Sequence, residues 1–118
     1  MVEKYGLHVA RVFVAFVMLA GGGLKIAGVP EVHESFLILG LPAWFGYFIG
    51  TCEIAGAIGI FINPLSSLAA LGLVVVMTGA IYFHAIHTPI AQAIPALLVL
   101  LSCIFIAFKQ KPKLFEFG

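Results

Sequence analysis

A chain of 118 residues that is 63% hydrophobic and 9% charged, with a mean hydropathy of +1.19, is not an ordinary soluble domain, where about a quarter of residues carry charge. It reads as an integral membrane protein. The formal net charge is +1, and most of its Lys and Arg residues sit near the termini; with no basic groove and no interleaved aromatics, nucleic acid is excluded as a partner.

The first apolar segment, 6–24, has Lys4 and Arg11 ahead of its apolar core. That layout could pass for a secretory signal peptide. Met18, however, would stand three residues before a cleavage after Ala20, where a small residue is needed, and the segments that follow are themselves membrane-embedded. The segment is therefore expected to be the first transmembrane helix. His8, Arg11, Ala15, Met18, Gly22 and Lys25 recur at steps of three and four residues and define a stripe facing the bundle. The triple glycine 21–23 allows either close packing or a local unwinding.

Pro30 can then open a helix in which Glu31, His33 and Glu34 stand opposite Phe36, Leu37 and Leu39. A short amphipathic helix on the outer surface is expected. Gly40 and Pro42 suit its end and the turn into Trp44, an aromatic at home at the membrane interface.

Segment 44–62 is long enough to cross a bilayer, for which roughly 20 residues are needed, yet it carries Glu53 near its middle. A charge at the bilayer centre costs at least about 2.5 to 3.5 kcal/mol on insertion scales. Glu53 must therefore be protonated, paired, or turned toward a polar interior. Helical spacing puts Gly46, Gly50, Glu53 and Ala57 on one face, where small side chains let a neighbouring helix approach the carboxylate.

Between Glu53 and Lys109 there is no Asp, Glu, Lys or Arg, too long a run for one spanning helix. Asn63-Pro64 with Ser66 and Ser67, and the 84–92 stretch with Thr88-Pro89, carry the turn chemistry that divides it. Two further spans follow, at 66–84 and 91–108, and Pro95 should kink the last or mark its start. The expected fold is all-α: a membrane-embedded four-helix bundle, one transmembrane domain over 1–118, with a short amphipathic helix between the first and second spans. Lys4 and Arg11 before the first span, and Lys109, Lys111 and Lys113 after the last, place both termini in the cytoplasm.

Two accounts of Glu53 remain open. Taking the second span to begin at Trp44, Glu53 lies about 13 Å below the outer interface and Arg11 about 7 Å above the inner one, so a structural Arg11–Glu53 ion pair could hold two helices in register. Alternatively Glu53 binds the polar head of a small molecule or relays a proton to it, with Lys25 or His84 assisting from the outer side. Lys25, Glu31, His33, Glu34, His84 and His87 share that side, but their spacing matches no closed zinc signature, and neither a metal nor a haem held by His8, His33, His84 or His87 is favoured. Cys52 and Cys103 fall within spans at depths differing by about 6 Å and read as buried thiols rather than a disulfide. No serine or cysteine nucleophile, phosphate loop or CxxC pair is visible.

Four short stretches carry a resemblance: Gly22-Gly23-Leu24-Lys25, Leu39-Gly40-Leu41-Pro42, Gly50-Thr51-Cys52-Glu53-Ile54, and Met77-Thr78-Gly79-Ala80 followed by His84. Together they resemble the DoxX-like, or DoxX/DoxD-related, membrane proteins. The resemblance implies four membrane helices and a bacterial or archaeal cytoplasmic membrane, and makes Lys25, Glu53 and His84 matches to the family's recurring polar positions. It implies no single activity. One branch accompanies thiosulfate:quinone oxidoreductase, another a membrane oxidoreductase complex handling oxidative stress, and distant animal relatives act as receptor-assembly chaperones. The chain has no appended soluble or cysteine-bearing redox domain, which weighs against an autonomous oxidoreductase. The function expected is a small membrane subunit or binding module, its cavity lined by Glu53 with Lys25 and His84 near the outer mouth, holding a quinone-like or other small amphiphile. The alternative is a non-catalytic assembly scaffold whose small-residue faces, including Gly46 and Gly50, pack against partner membrane subunits or a second copy.

Overall fold

The computed structural model describes the backbone of residues 2–115 and the side chains of residues 5–110. The order of elements is α1 (Val2–Ile26), α2 (Pro30–Ile38), α3 (Phe45–Gly59), α4 (Asn63–His87), a short 3-10 turn (Ile90–Ala93) and α5 (Ile94–Phe115). Helices α1, α3, α4 and α5 form a membrane four-helix bundle closed as a ring: α1 packs on α3, α3 on α4, α4 on α5, and α5 back on α1. Contacts from Gly6 to Phe105 and from Ser67 to Ala107 put both ends of the described chain beside the α3–α4 turn, so neighbours in the ring run antiparallel.

Proline and glycine set most of the boundaries. Pro30 and Pro64 stand in the first turns of α2 and α4, where the missing N–H would have no helical partner in any case. Pro95 plays the same part in α5, marking its start rather than kinking it. Gly28 and Gly40, both at φ +78°, flank α2 and make the left-handed turns that a Cβ would oppose. Around the α3–α4 turn, amide–carbonyl bonds such as Ile60 N to Gly56 O, Phe61 N to Ile58 O and Leu65 N to Ile62 O keep the backbone satisfied locally, as a polar chain near lipid requires.

The core is a narrow column of apolar side chains, with Val14, Ile60, Leu73, Val99, Cys103 and Ile106 at its centre. Around it runs an apolar outer surface, typified by Phe16 at 74% and Val75 at 72% exposure. Such an exterior is stable only where the solvent is as apolar as the side chains. Three helices are long and apolar enough to cross a membrane: Tyr5–Ile26, Asn63–His87 and Ile90–Gln110. Helix α3 has 15 residues, about 22 Å, and is shorter than the expected 44–62 because Ile60, Phe61 and Ile62 leave the helix for the turn.

Two glycine contacts fix how α1 meets α3. A Cβ on Gly22 would come within 2.8 Å of the Ile54 Cγ1 and 2.9 Å of the Gly50 carbonyl, and one on Gly50 within 2.7 Å of the Lys25 Cβ. Within the triple glycine, which lies inside a continuous helix, Gly22 is therefore the close packing point, whereas a Cβ on Gly23 would meet nothing. Most of the expected α1 stripe faces the bundle: Arg11, Ala15, Met18 and Gly22 are buried and Lys25 is half-buried, whereas His8 is exposed.

Candidate functional site

The Gly22–Gly50 contact determines which α1 cation meets Glu53. In an antiparallel pair, register runs in opposite directions on the two helices, so with Gly22 beside Gly50, Lys25 stands over the first turns of α3 and Arg11 near its end. Glu53 receives Lys25: Nζ to Oε1 is 2.9 Å, and the carboxylate is buried. Arg11 lies some eight residues, about 12 Å along the helix, beyond the level of Glu53. The Arg11–Glu53 pair is accordingly not formed. Arg11 Nη2 instead donates to Asn63 Oδ1 at 3.3 Å and Ser66 Oγ at 3.2 Å, and Ser66 Oγ donates to the Ile60 carbonyl at 2.8 Å. This second polar cluster clamps α1 to the α3–α4 turn. Asn63 and Ser66 were legible only as turn residues.

Lys25, Glu53 and His84 all line one cavity of about 710 Å³ at the α2 end of the bundle. Its walls come from the last turn of α1, from α2, from the first half of α3 and from the second half of α4, with Thr88 and Gln92 of the following turn closing one side. Phe36, Phe45, Ile49, Val75 and Val76 supply much of the apolar lining. His84 Nδ1 lies 3.0 Å from Thr88 Oγ1, which in turn donates to the His84 carbonyl at 3.0 Å. That holds the imidazole at the rim where α4 ends.

Helix α2 differs from the expected amphipathic helix. No residue in it is buried, Glu31 and Glu34 line the cavity, and Phe36 rests on Phe45 with ring centroids 5.7 Å apart. His33, expected on the polar side, turns inward. Its Nε2 is 2.7 Å from the Lys25 carbonyl, and its ring lies 4.4 Å from that of Tyr47. It also closes against Gly46 so tightly that a Cβ there would collide with the imidazole. His87 packs on Phe83 instead of reaching the cavity. The two cysteines are free, Cys103 buried and Cys52 partly so.

What the sequence reading missed at this site was the part played by Glu31, Glu34, Thr88 and Gln92. A signal for the first two was present. Between Arg11 and Lys109 the only Asp, Glu, Lys or Arg residues are Lys25, Glu31, Glu34 and Glu53, and all four line this cavity.

Chemically the site offers donors on Lys25, a carboxylate acceptor on Glu53, an imidazole, an amide and a hydroxyl, set against an apolar chamber. Fold and site together define a small multi-helix membrane protein with a polar-ended cavity among its helices. The chain belongs to the DoxX-like family, whose sequence pattern matches residues 9–106. It is 35% identical over 102 residues to the uncharacterized protein YdgD of Bacillus subtilis strain 168, covering 81% of this chain and 90% of that one. No solved structure matches it. The family match spans more of the chain than the four short stretches and includes every cavity residue named above.

Proposed function

We propose that this chain is a membrane binding module that holds a quinone-like or other small amphiphile in the cavity beside α2. The observation that carries this reading is the Lys25–Glu53 pair on the wall of an otherwise largely apolar chamber. An ion pair that served stability alone would not need a void next to it, since buried pairs contribute little net stability. In this role Lys25 keeps ammonium hydrogens free for a ligand oxygen, Glu53 accepts a hydrogen bond or a proton from the head group, and His84, its Nδ1–H donated to Thr88, offers Nε2 as an acceptor from the rim. The ligand's tail lies along the apolar wall. In this reading both termini lie on the cytoplasmic side and the cavity opens at the other; of the five basic residues behind that orientation, Lys4, Lys111 and Lys113 have side chains outside the described residues, while Arg11 and Lys109 are described.

Native mass spectrometry with an absorption spectrum, on protein taken gently from the membrane, tests the proposal. A lipid-like or quinone-like ligand of defined mass should be retained, and Glu53→Gln should lower its occupancy at least about fivefold while the protein stays folded. Protein that is always empty, with Glu53→Gln indistinguishable in ligand uptake, would sink the idea.

The scaffold reading draws on a different surface from the one first expected. Gly46 and Gly50 are already occupied within the chain, by His33 and by α1. Gly72, on the exposed side of α4 and away from the cavity, has no atom within 4 Å of a built Cβ and is free to meet a partner subunit or a second copy. Gly72→Leu disrupting a membrane complex, with ligand retention unchanged, would favour that reading.

A further inference from the structure

The cavity's charge is unbalanced. Lys25 and Glu53 neutralise each other at 2.9 Å, which leaves Glu31 and Glu34 on the α2 wall with no further cation among the described residues that line the chamber. His84 is tied to Thr88 and His33 to the Lys25 carbonyl. The remaining cations with described side chains, Arg11 and Lys109, belong to the opposite end of the bundle, Arg11 bound at the α3–α4 turn and Lys109 stacked 5.7 Å from the Phe105 ring.

The chamber is also open sideways. Val75 and Tyr82 line it although they are among the most exposed residues on α4, so this wall faces the lipid that surrounds the bundle. A ligand can therefore arrive from the bilayer with its tail still in lipid, and it meets the two carboxylates as its head enters. Both carboxylates are exposed at the chamber's mouth, so water and salt screen their field and it acts on a head group only at close range.

We propose that the cavity selects its amphiphile by head-group charge, taking a single-tailed amphiphile with a cationic, amine-type head and rejecting an anionic one. The ammonium head lies between the α2 carboxylates and the Lys25–Glu53 pair, and the tail follows Ile49, Val75 and Val76 out toward lipid. This rests on the reading of the cavity as an amphiphile site and adds the sign of the head group. A neutral quinone enters the same chamber without the electrostatic contribution, and a carboxylate or sulfate head is opposed by Glu31 and Glu34.

The test titrates dodecylamine, dodecanol and dodecanoate into the protein held in nanodiscs of phosphatidylcholine near neutral pH, with empty nanodiscs subtracted. Dodecylamine is expected to bind about tenfold or more tighter than dodecanol, and dodecanoate not to bind measurably. The Glu31→Gln/Glu34→Gln double variant, both positions being exposed, should fold as the parent does and narrow the amine-over-alcohol preference to about threefold or less. Equal affinity for amine and alcohol, dodecanoate binding as tightly as the amine, or a preference that survives the double substitution each overturns charge selection while leaving the cavity a ligand site. Failure of all three compounds to bind overturns charge selection, and the quinone reading is then decided by the mass-spectrometric test alone.

Discussion

Glu53 is 3% exposed and its charge is answered by one ammonium. Removing one member of such a pair costs far more than the pair contributes, because the survivor is left buried and uncompensated. Lys25→Met is therefore expected to destabilise the protein by about 3 kcal/mol, and Lys25→Met/Glu53→Gln to recover at least half of the loss. Thermal unfolding in nanodiscs reads both, and a Lys25→Met protein as stable as its parent would show that the pair is not the partner Glu53 depends on. Arg11 is a different case, held by a side-chain amide and a hydroxyl, with no carboxylate paired to it among the described residues. That Glu53 needed a partner was legible from its position in an apolar run. Which cation answered was not, because two basic residues lie on one α1 face and the choice depends on the sliding register of α1 against α3.

That register belongs to the scale of the helix pair. Glycines at both contact points let the α1 and α3 backbones approach until Gly50 meets the Lys25 stem, and the α1 residues above and below then take their levels. Gly50→Ala places a methyl against the Lys25 Cβ and the Gly22 carbonyl, and should cost about 1–3 kcal/mol by forcing the helices apart. Gly23→Ala is the control one residue away from Gly22. Nothing lies within 4 Å of its added carbon, so the change should be stabilising by about 0.5–1 kcal/mol through helix propensity alone. Unfolding temperatures of the two variants that moved in the same direction would contradict this geometry. The proline-marked helix starts were readable, since Pro30, Pro64 and Pro95 each sit in a first turn as proline chemistry demands, whereas the end of α3 at Gly59 was not. The inward turn of His33 was not, since its bond goes to the Lys25 backbone carbonyl and pattern reading sees only side chains.

At the scale of the whole molecule, the bundle was legible from composition and breaks; a cavity at Glu53, Lys25 and His84 was expected, but its extent under α2 was not legible. A cavity is what remains where helices diverge, and divergence depends on how far Gly22, Gly50 and Gly56 let their partners close in. Gly56 receives Leu73 of α4, with a built Cβ 2.7 Å from its side chain, so α3 is gripped toward its far end. The chamber opens at the other end, under α2. The scarcity of charge in the middle of the chain pointed to the same place, because a membrane interior tolerates ionisable residues only where they face one another or a polar space.

The brevity of α3 has a further consequence, for the lipid rather than the protein. A helix of about 22 Å beside helices of 21 to 25 residues leaves one flank of the bundle shorter than a typical hydrocarbon layer of about 30 Å. Lipid along that flank must thin or tilt to match it, at a fraction of a kcal/mol for each ångström of mismatch. The protein is thus wedge-like toward the bilayer, and its stability should depend on acyl-chain length, with unfolding temperatures higher in nanodiscs of dimyristoyl than of dioleoyl phosphatidylcholine. Equal values would mean that the α2 segment and the α3–α4 turn fill the missing height on their own.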